Sequence, residues 1–141
     1  MKRFCFPWRR EYSRLVGVIY RPVAEVLLQG QAGEWIPVEA YVDSGADITI
    51  FPRYIGEDLL GLEVEGGVLI RPMGIARQTL SAWIHEVPVR LGDEGFEATV
   101  AFAETNSVPS LIGPYSVVTS NSEGRPRGKR LILGERSRVE F

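Results

Sequence analysis

The chain has one cysteine and one histidine in 141 residues, and each scarcity removes a class of chemistry. Cys5 alone makes no intrachain disulfide, which agrees with a reducing compartment. No Cys/His cluster carries metal-ligand spacing, so no metal site and no cofactor is expected. With His85 as the only imidazole, a Ser-His or Cys-His mechanism would have to use it, yet neither Cys5 nor any serine is marked as its partner. A lone histidine beside Trp83 and Ile84 in a strand is more commonly a hydrogen-bonded barrel residue. The glycines form no phosphate-binding loop between a strand and a helix. Long apolar runs are missing too. Stretches such as Leu15–Tyr20 and Val23–Leu28 are broken by Gly, Glu or Arg and fall short of the roughly 20 residues that span a bilayer. Met1 to Arg10 is basic but has no signal-peptide hydrophobic region. These absences lead us to expect a cytoplasmic protein with no membrane partner.

What is present fits a single domain: 45% hydrophobic residues and a net charge of −2, enough to bury a core but too short for two full lobes. The charge is uneven, with Lys and Arg near both ends and most carboxylates between residues 31 and 120. Lys2, Arg3, Arg9 and Arg10 with Phe4 and Trp8 could grip nucleic acid or an anionic surface, but solvated tail charge is the commoner meaning. A basic-ended nucleic-acid-binding barrel would need basic and aromatic residues converging on one face, and the acidic middle argues against it. No nucleic-acid partner is expected.

Short runs rich in Val, Ile, Leu, Trp and Thr alternate with Gly- and Pro-containing turns, which makes the chain mainly β. Strands are predicted at Leu15–Tyr20, Val23–Gln29, Trp35–Val42, Thr49–Phe51, Val64–Ile70, Thr79–Leu91, Glu97–Ala103, Ser110–Ile112, Arg130–Leu133 and Arg138–Phe141. One short helix is predicted from Pro52 to Gly61, because Pro suits a first helical position and Gly a position just past the end. Residues 1–14 read as a basic arm, 15–141 as the domain, and Pro114–Gly128 as a mobile surface loop within it. No segment repeats.

The chemistry lies in residues 38–51, a half-buried strand that ends at an acid, turns on small residues and continues as a second apolar strand. By itself Asp43-Ser44-Gly45-Ala46 is an ordinary turn composition. The longer run Asp43-Ser44-Gly45-Ala46-Asp47-Ile48-Thr49-Ile50, however, resembles the retropepsin active-site signature, Asp-(Thr/Ser)-Gly-Ala-Asp-x-Thr-hydrophobic, at every defined position. Leu111-Ile112-Gly113 resembles that family's late hydrophobic-hydrophobic-Gly motif, some 70 positions after Asp43. The closing segments around 130–133 and 138–141 look like those of cellular and prokaryotic relatives.

The resemblance implies a closed or nearly closed antiparallel acid-protease barrel with one short helix, a flap hairpin and a homodimeric assembly. It implies Asp43 as the catalytic acid, supported by Ser44, Gly45, Ala46, Asp47, Thr49, Leu111, Ile112 and Gly113. Val64–Ile70 and Thr79–Leu91 can pair as the flap, with Met73, Gly74, Ile75 and Ala76 at its tip closing over a peptide. Where the family usually has Arg or Asn after the late glycine, this chain has Pro114. That Arg pairs with the acid matching Asp47, so Asp47 needs another partner, for which Arg9, Arg10 and Arg14 of an opposite subunit are candidates.

Peptide hydrolysis of this kind uses two carboxylates sharing one proton. The chain supplies one in such a setting, since Asp58, Asp93 and Glu104 lie in no second Asp-Ser/Thr-Gly context. A two-fold axis bringing Asp43 of two copies together is the economical solution. The expectation is an aspartic endopeptidase with an acidic to mildly acidic optimum. The alternative is a non-catalytic barrel of the same fold that dimerises or binds peptides.

Overall fold

The structure, a computed structural model, describes residues 3–6, 8–43, 46, 48–72, 79–113, 118–120, 126–128, 130–132 and 137–140. The described residues are mainly strand, as the sequence predicts. In chain order the strands are β1 (Arg3–Phe6), β2 (Trp8–Ser13), β3 (Gly17–Gln29), β4 (Trp35–Val42), β5 (Thr49–Phe51), β6 (Val68–Ile70), β7 (Ala82–Leu91), β8 (Glu94–Ala103), β9 (Leu111–Ile112), β10 (Val118–Ser120), β11 (Pro126–Gly128), β12 (Arg130–Ile132) and β13 (Ser137–Glu140).

The main sheet runs β2-β3-β4-β9-β5-β8-β7-β6, and a further pairing of β3 with β7 joins its inner strands into a ring. That closure is short, Leu27 opposite Arg90 and Leu28 opposite Val89. Period-2 patterning drives it: Ala24, Val26 and Leu28 on β3, Val38, Ala40 and Val42 on β4, Val87, Val89 and Leu91 on β7, and Ala98, Val100 and Phe102 on β8 all turn inward and are buried. They leave an apolar cavity of about 40 Å³. Gly92, at φ 60°, lets Gly92-Asp93 form the two-residue turn between Leu91 and Glu94.

The expected helix is a single wide turn, Ile55–Leu59, in which the Leu60 amide donates to the Ile55 carbonyl at 3.0 Å, five residues back. It seats against the barrel through Gly56, where a Cβ would lie 2.8 Å from the Phe102 ring. Arg53 holds the turn through Glu57 (2.8 Å) and reaches Glu65 on the following segment.

Several strand boundaries differ from expectation, the largest differences lying at the first strands and at Val64. Leu15–Tyr20 and Val23–Gln29 are not separate strands; β3 runs unbroken from Gly17 to Gln29, with Leu15 and Val16 in the turn before it. Pro22 is tolerated because it lies opposite Trp8 of β2, at the margin of the sheet. Val64–Gly66 is a 3₁₀ turn rather than strand, held by His85, whose Nε2–H donates to the Val64 carbonyl at 2.7 Å. His85 is thus the hydrogen-bonded barrel residue the sequence suggests.

Two smaller sheets complete the described chain. β13 pairs antiparallel with both β1 and β12, so the two ends of the chain share one sheet. Within 114–128, β10 pairs with β11; residues 114–117 and 121–125 lie outside the described set. Among the described residues no helix is long and apolar enough to cross a membrane.

Candidate active site

Asp43 stands at the end of β4, and the strand beside it comes from far along the chain. β9 lies between β4 and β5, parallel to the first, with Val42 opposite Ile112, and antiparallel to the second, with Ile50 opposite Leu111. The parallel ladder is carried by the Tyr41 amide donating to Ser110 O at 2.9 Å and the Asp43 amide donating to Ile112 O at 3.0 Å. The acid's own backbone is therefore part of the sheet, while its side chain is only half buried. A turn then begins, with the Ala46 amide donating to Asp43 O at 3.2 Å.

Thr49 locks the other side of the loop. Its hydroxyl accepts from the Gly113 amide at 3.2 Å, and the residue is 4% exposed. A buried amide and a buried hydroxyl thereby satisfy each other across 64 residues of sequence. Gly113 is required by space: a Cβ there would lie 2.5 Å from Ala46 O and 3.0 Å from the Ile48 carbonyl carbon. Backbone packs on backbone, so the Asp43 loop rests directly on the end of β9.

These contacts unite Asp43, Ala46, Thr49, Leu111, Ile112 and Gly113 from the two sequence motifs in one construction. Ser44, Gly45 and Asp47 lie outside the described residues, as do the flap-tip positions Met73, Gly74, Ile75 and Ala76. The flap's base is described: β6 pairs with β7, Val68 opposite Ile84 and Ile70 opposite Ala82. A second apolar cluster ties this base to the loop. Ile50, Ala82, Ala101 and Ala103 are buried in it, and Ile48, Ile70, Leu80 and Leu111 pack around them. Sequence reading missed the small-residue members, although the alternation in β8 offers a signal: Ala101 and Ala103 fall out of phase with the inward Ala98, Val100 and Phe102.

Of the arginines considered for Asp47, Arg9 is engaged elsewhere, with Glu39 at 2.7 Å. The hydrogen bond to Glu39 holds the Arg9 guanidinium above its ordinary value and the Glu39 carboxyl below its own. Beside this pair, the Tyr41 hydroxyl donates to Glu11 at 2.9 Å, and that bond, with partial burial, raises the Tyr41 phenol. Among the described residues no group of three or more His, Cys, Asp or Glu is placed to hold a metal ion.

No protein-family model matches the chain, and no curated protein does. Among solved structures it is similar to a retropepsin-like aspartic protease from Rickettsia conorii, at 17% identity over 95% of each chain with a TM-score of 0.49. It is also similar to EIAV protease complexed with the inhibitor HBY-793, at 17% identity over 66% of this chain and 81% of that one, with a TM-score of 0.48.

Proposed function

We propose that the chain is an aspartic endopeptidase acting as a homodimer, with Asp43 of each copy contributing one carboxyl to a shared site. The observation that carries the reading is the anchoring of Asp43. An ordinary surface turn needs no distant strand beneath it, yet this acid is held by the Ile112 carbonyl on one side and by the Thr49–Gly113 bond on the other. Such rigidity suits an acid that must meet a second carboxyl at fixed distance.

In the reaction, the ionised carboxylate takes a proton from water while the protonated partner donates to the scissile carbonyl oxygen. Water oxygen bonds to the carbonyl carbon and a tetrahedral gem-diol forms. Its collapse breaks the C–N bond, the amine leaves with a proton from the dyad, and a carboxylic acid remains. Loop rigidity keeps the attacking distance short, and the hairpin β6–β7 covers an extended peptide.

The test is Asp43→Asn, which preserves shape but cannot share the proton. The purified wild-type chain is expected to cleave peptide substrates and to be inhibited by a statine-type transition-state analogue. The variant should lose turnover while keeping wild-type thermal stability. Turnover retained by Asp43→Asn, with contaminating protease excluded by the analogue, would overturn the mechanism. Pro114, in place of the Arg or Asn usual after the late glycine, favours a second reading, a barrel that binds peptide without cleaving it. Peptide binding by the wild type with no turnover would select that reading.

A further inference from the structure

The hairpin of β2 and β3 has one face fixed to the barrel and one face open. Strand partners share a face, so Glu11 lies beside Ile19, and Arg9 beside Arg21. That side is engaged: Glu11 accepts from Tyr41 and pairs with Arg21 at 3.3 Å, and Arg9 pairs with Glu39. The other side holds Arg10 beside Tyr20 and Tyr12 beside Val18, all exposed. The three-residue turn Arg14-Leu15-Val16, closed by Gly17 at φ 80°, forms the apex. There Leu15 is 94% and Val16 72% exposed, with Tyr12 at 79% just below.

Solvent-facing aliphatics at a convex apex, with two tyrosines behind, are a costly thing to leave in water. Their charged neighbours are of one sign. Residues 8–22 contain four arginines and a single acid, Glu11, although the whole chain is at −2. Glu11 faces the barrel, and Arg10 and Arg14 make no ion pair among the described residues. The order along the hairpin is aliphatic apex, then aromatic and cationic shoulder. At about 3.3 Å per strand residue, Tyr20 and Arg10 stand roughly 13 Å behind the apex. A bilayer leaflet has that order of layers, with interfacial segments sinking about 5–10 Å and aromatic and cationic groups at headgroup level.

We propose that the β2–β3 hairpin docks the protein on an anionic phospholipid surface, with Leu15 and Val16 entering the acyl boundary and Arg10 and Arg14 meeting the headgroups. Charge complementarity selects the occupant: a protein partner would need a concave acidic pocket for a protruding finger, whereas a fluid leaflet yields to it and supplies the negative charge. The expected absence of a membrane partner rests on the lack of a spanning segment, and a hairpin that dips into one leaflet needs none. The proposal is separable from the peptidase reading: Arg10 and Arg14 of an opposite subunit are candidates for Asp47, but among the described residues Leu15 and Val16 have no part in the seat of Asp43, so the Leu15→Ser/Val16→Ser pair tests the surface alone.

The experiment is co-sedimentation of the full chain with phosphatidylglycerol/phosphatidylcholine vesicles and with phosphatidylcholine alone. Retention is expected on the anionic vesicles and weakly, if at all, on the neutral ones. The pair Arg10→Gln/Arg14→Gln should lower partitioning about 25-fold, each surface arginine contributing about fivefold. Leu15→Ser/Val16→Ser should lower it at least about tenfold, and Leu15→Phe/Val16→Phe should restore or raise it. All variants should melt with the wild type, since the altered side chains are solvent-facing. No retention on anionic vesicles, or retention indifferent to both pairs, would overturn the proposal. A hydrodynamic mass that falls in Leu15→Ser/Val16→Ser, without vesicle binding by the wild type, would overturn it in favour of a second copy covering this face.

Discussion

Replacing Gly113 by alanine adds one methyl group at the point where the Asp43 loop rests on β9. The new Cβ would sit 2.5 Å from Ala46 O, with Ile48 C and N at 3.0 and 3.1 Å. All three are backbone atoms, so no rotamer change relieves the overlap. Either β9 or the loop must retreat by at least about half an ångström, and overpacking of this kind costs about 1–3 kcal/mol. For a domain of this length each kcal/mol lowers Tm by roughly 3–5 °C, so a fall of about 3–15 °C is expected by calorimetry. Retreat also stretches the Gly113–Thr49 bond and moves the acid. Because misplacement by about 1 Å can reduce rate on the order of 100-fold, kcat/KM on a peptide substrate should fall much further than stability alone explains at temperatures where the variant is folded. An alanine variant with wild-type Tm and wild-type kcat/KM would refute the backbone-on-backbone account of this junction.

Other consequences follow from the same geometry. Thr49→Val keeps the shape but removes the hydroxyl that accepts from the Gly113 amide in a buried place, at a cost of about 1–3 kcal/mol by denaturant titration, whereas Thr49→Ser should recover most of it. If the site is shared between copies, specific activity should fall on dilution in step with dimer dissociation seen by sedimentation, and an undiminished active monomer would contradict the one-acid argument. Tyr41→Phe removes the bond to Glu11 that ties the β2–β3 hairpin to the barrel; partial solvent exposure limits the loss to about 1 kcal/mol. Because the Tyr41 phenol is raised in the folded state, its contribution is complete below about pH 10, the unfolded value, and disappears as pH climbs through the folded one. Phe should therefore flatten the alkaline limb of a stability profile.

The two motifs at the candidate site stood out through their resemblance to a known signature, since Asp43-Ser44-Gly45-Ala46 alone has an ordinary turn composition. Thr49 and Gly113, one from each short motif, meet in the Gly113 N–H to Thr49 hydroxyl bond. The barrel strands were readable where alternation is clean, as at Val87, Val89 and Leu91. Leu15 and Val16 were misread as the start of a strand, since apolar β-formers ordinarily seek a sheet; the deciding feature is Gly17, whose positive φ places them at an apex instead. Val64 was read as strand for the same compositional reason, and what overrides it is a tertiary bond from His85. The pairing of β1 with β13 joins residues at opposite ends of the chain, and no local pattern carries that information.

The position of β9 has a consequence for biosynthesis. Until residues 111–113 are made, β4 and β5 have nothing between them, and neither the Asp43 amide nor the Thr49 hydroxyl has the partner that fixes it. Closing so long a loop is among the slower steps a small β protein takes. A ribosome-bound or truncated chain that stops short of this two-residue strand carries Asp43 without its seat, so the activity proposed above would have to wait until residue 113 has emerged.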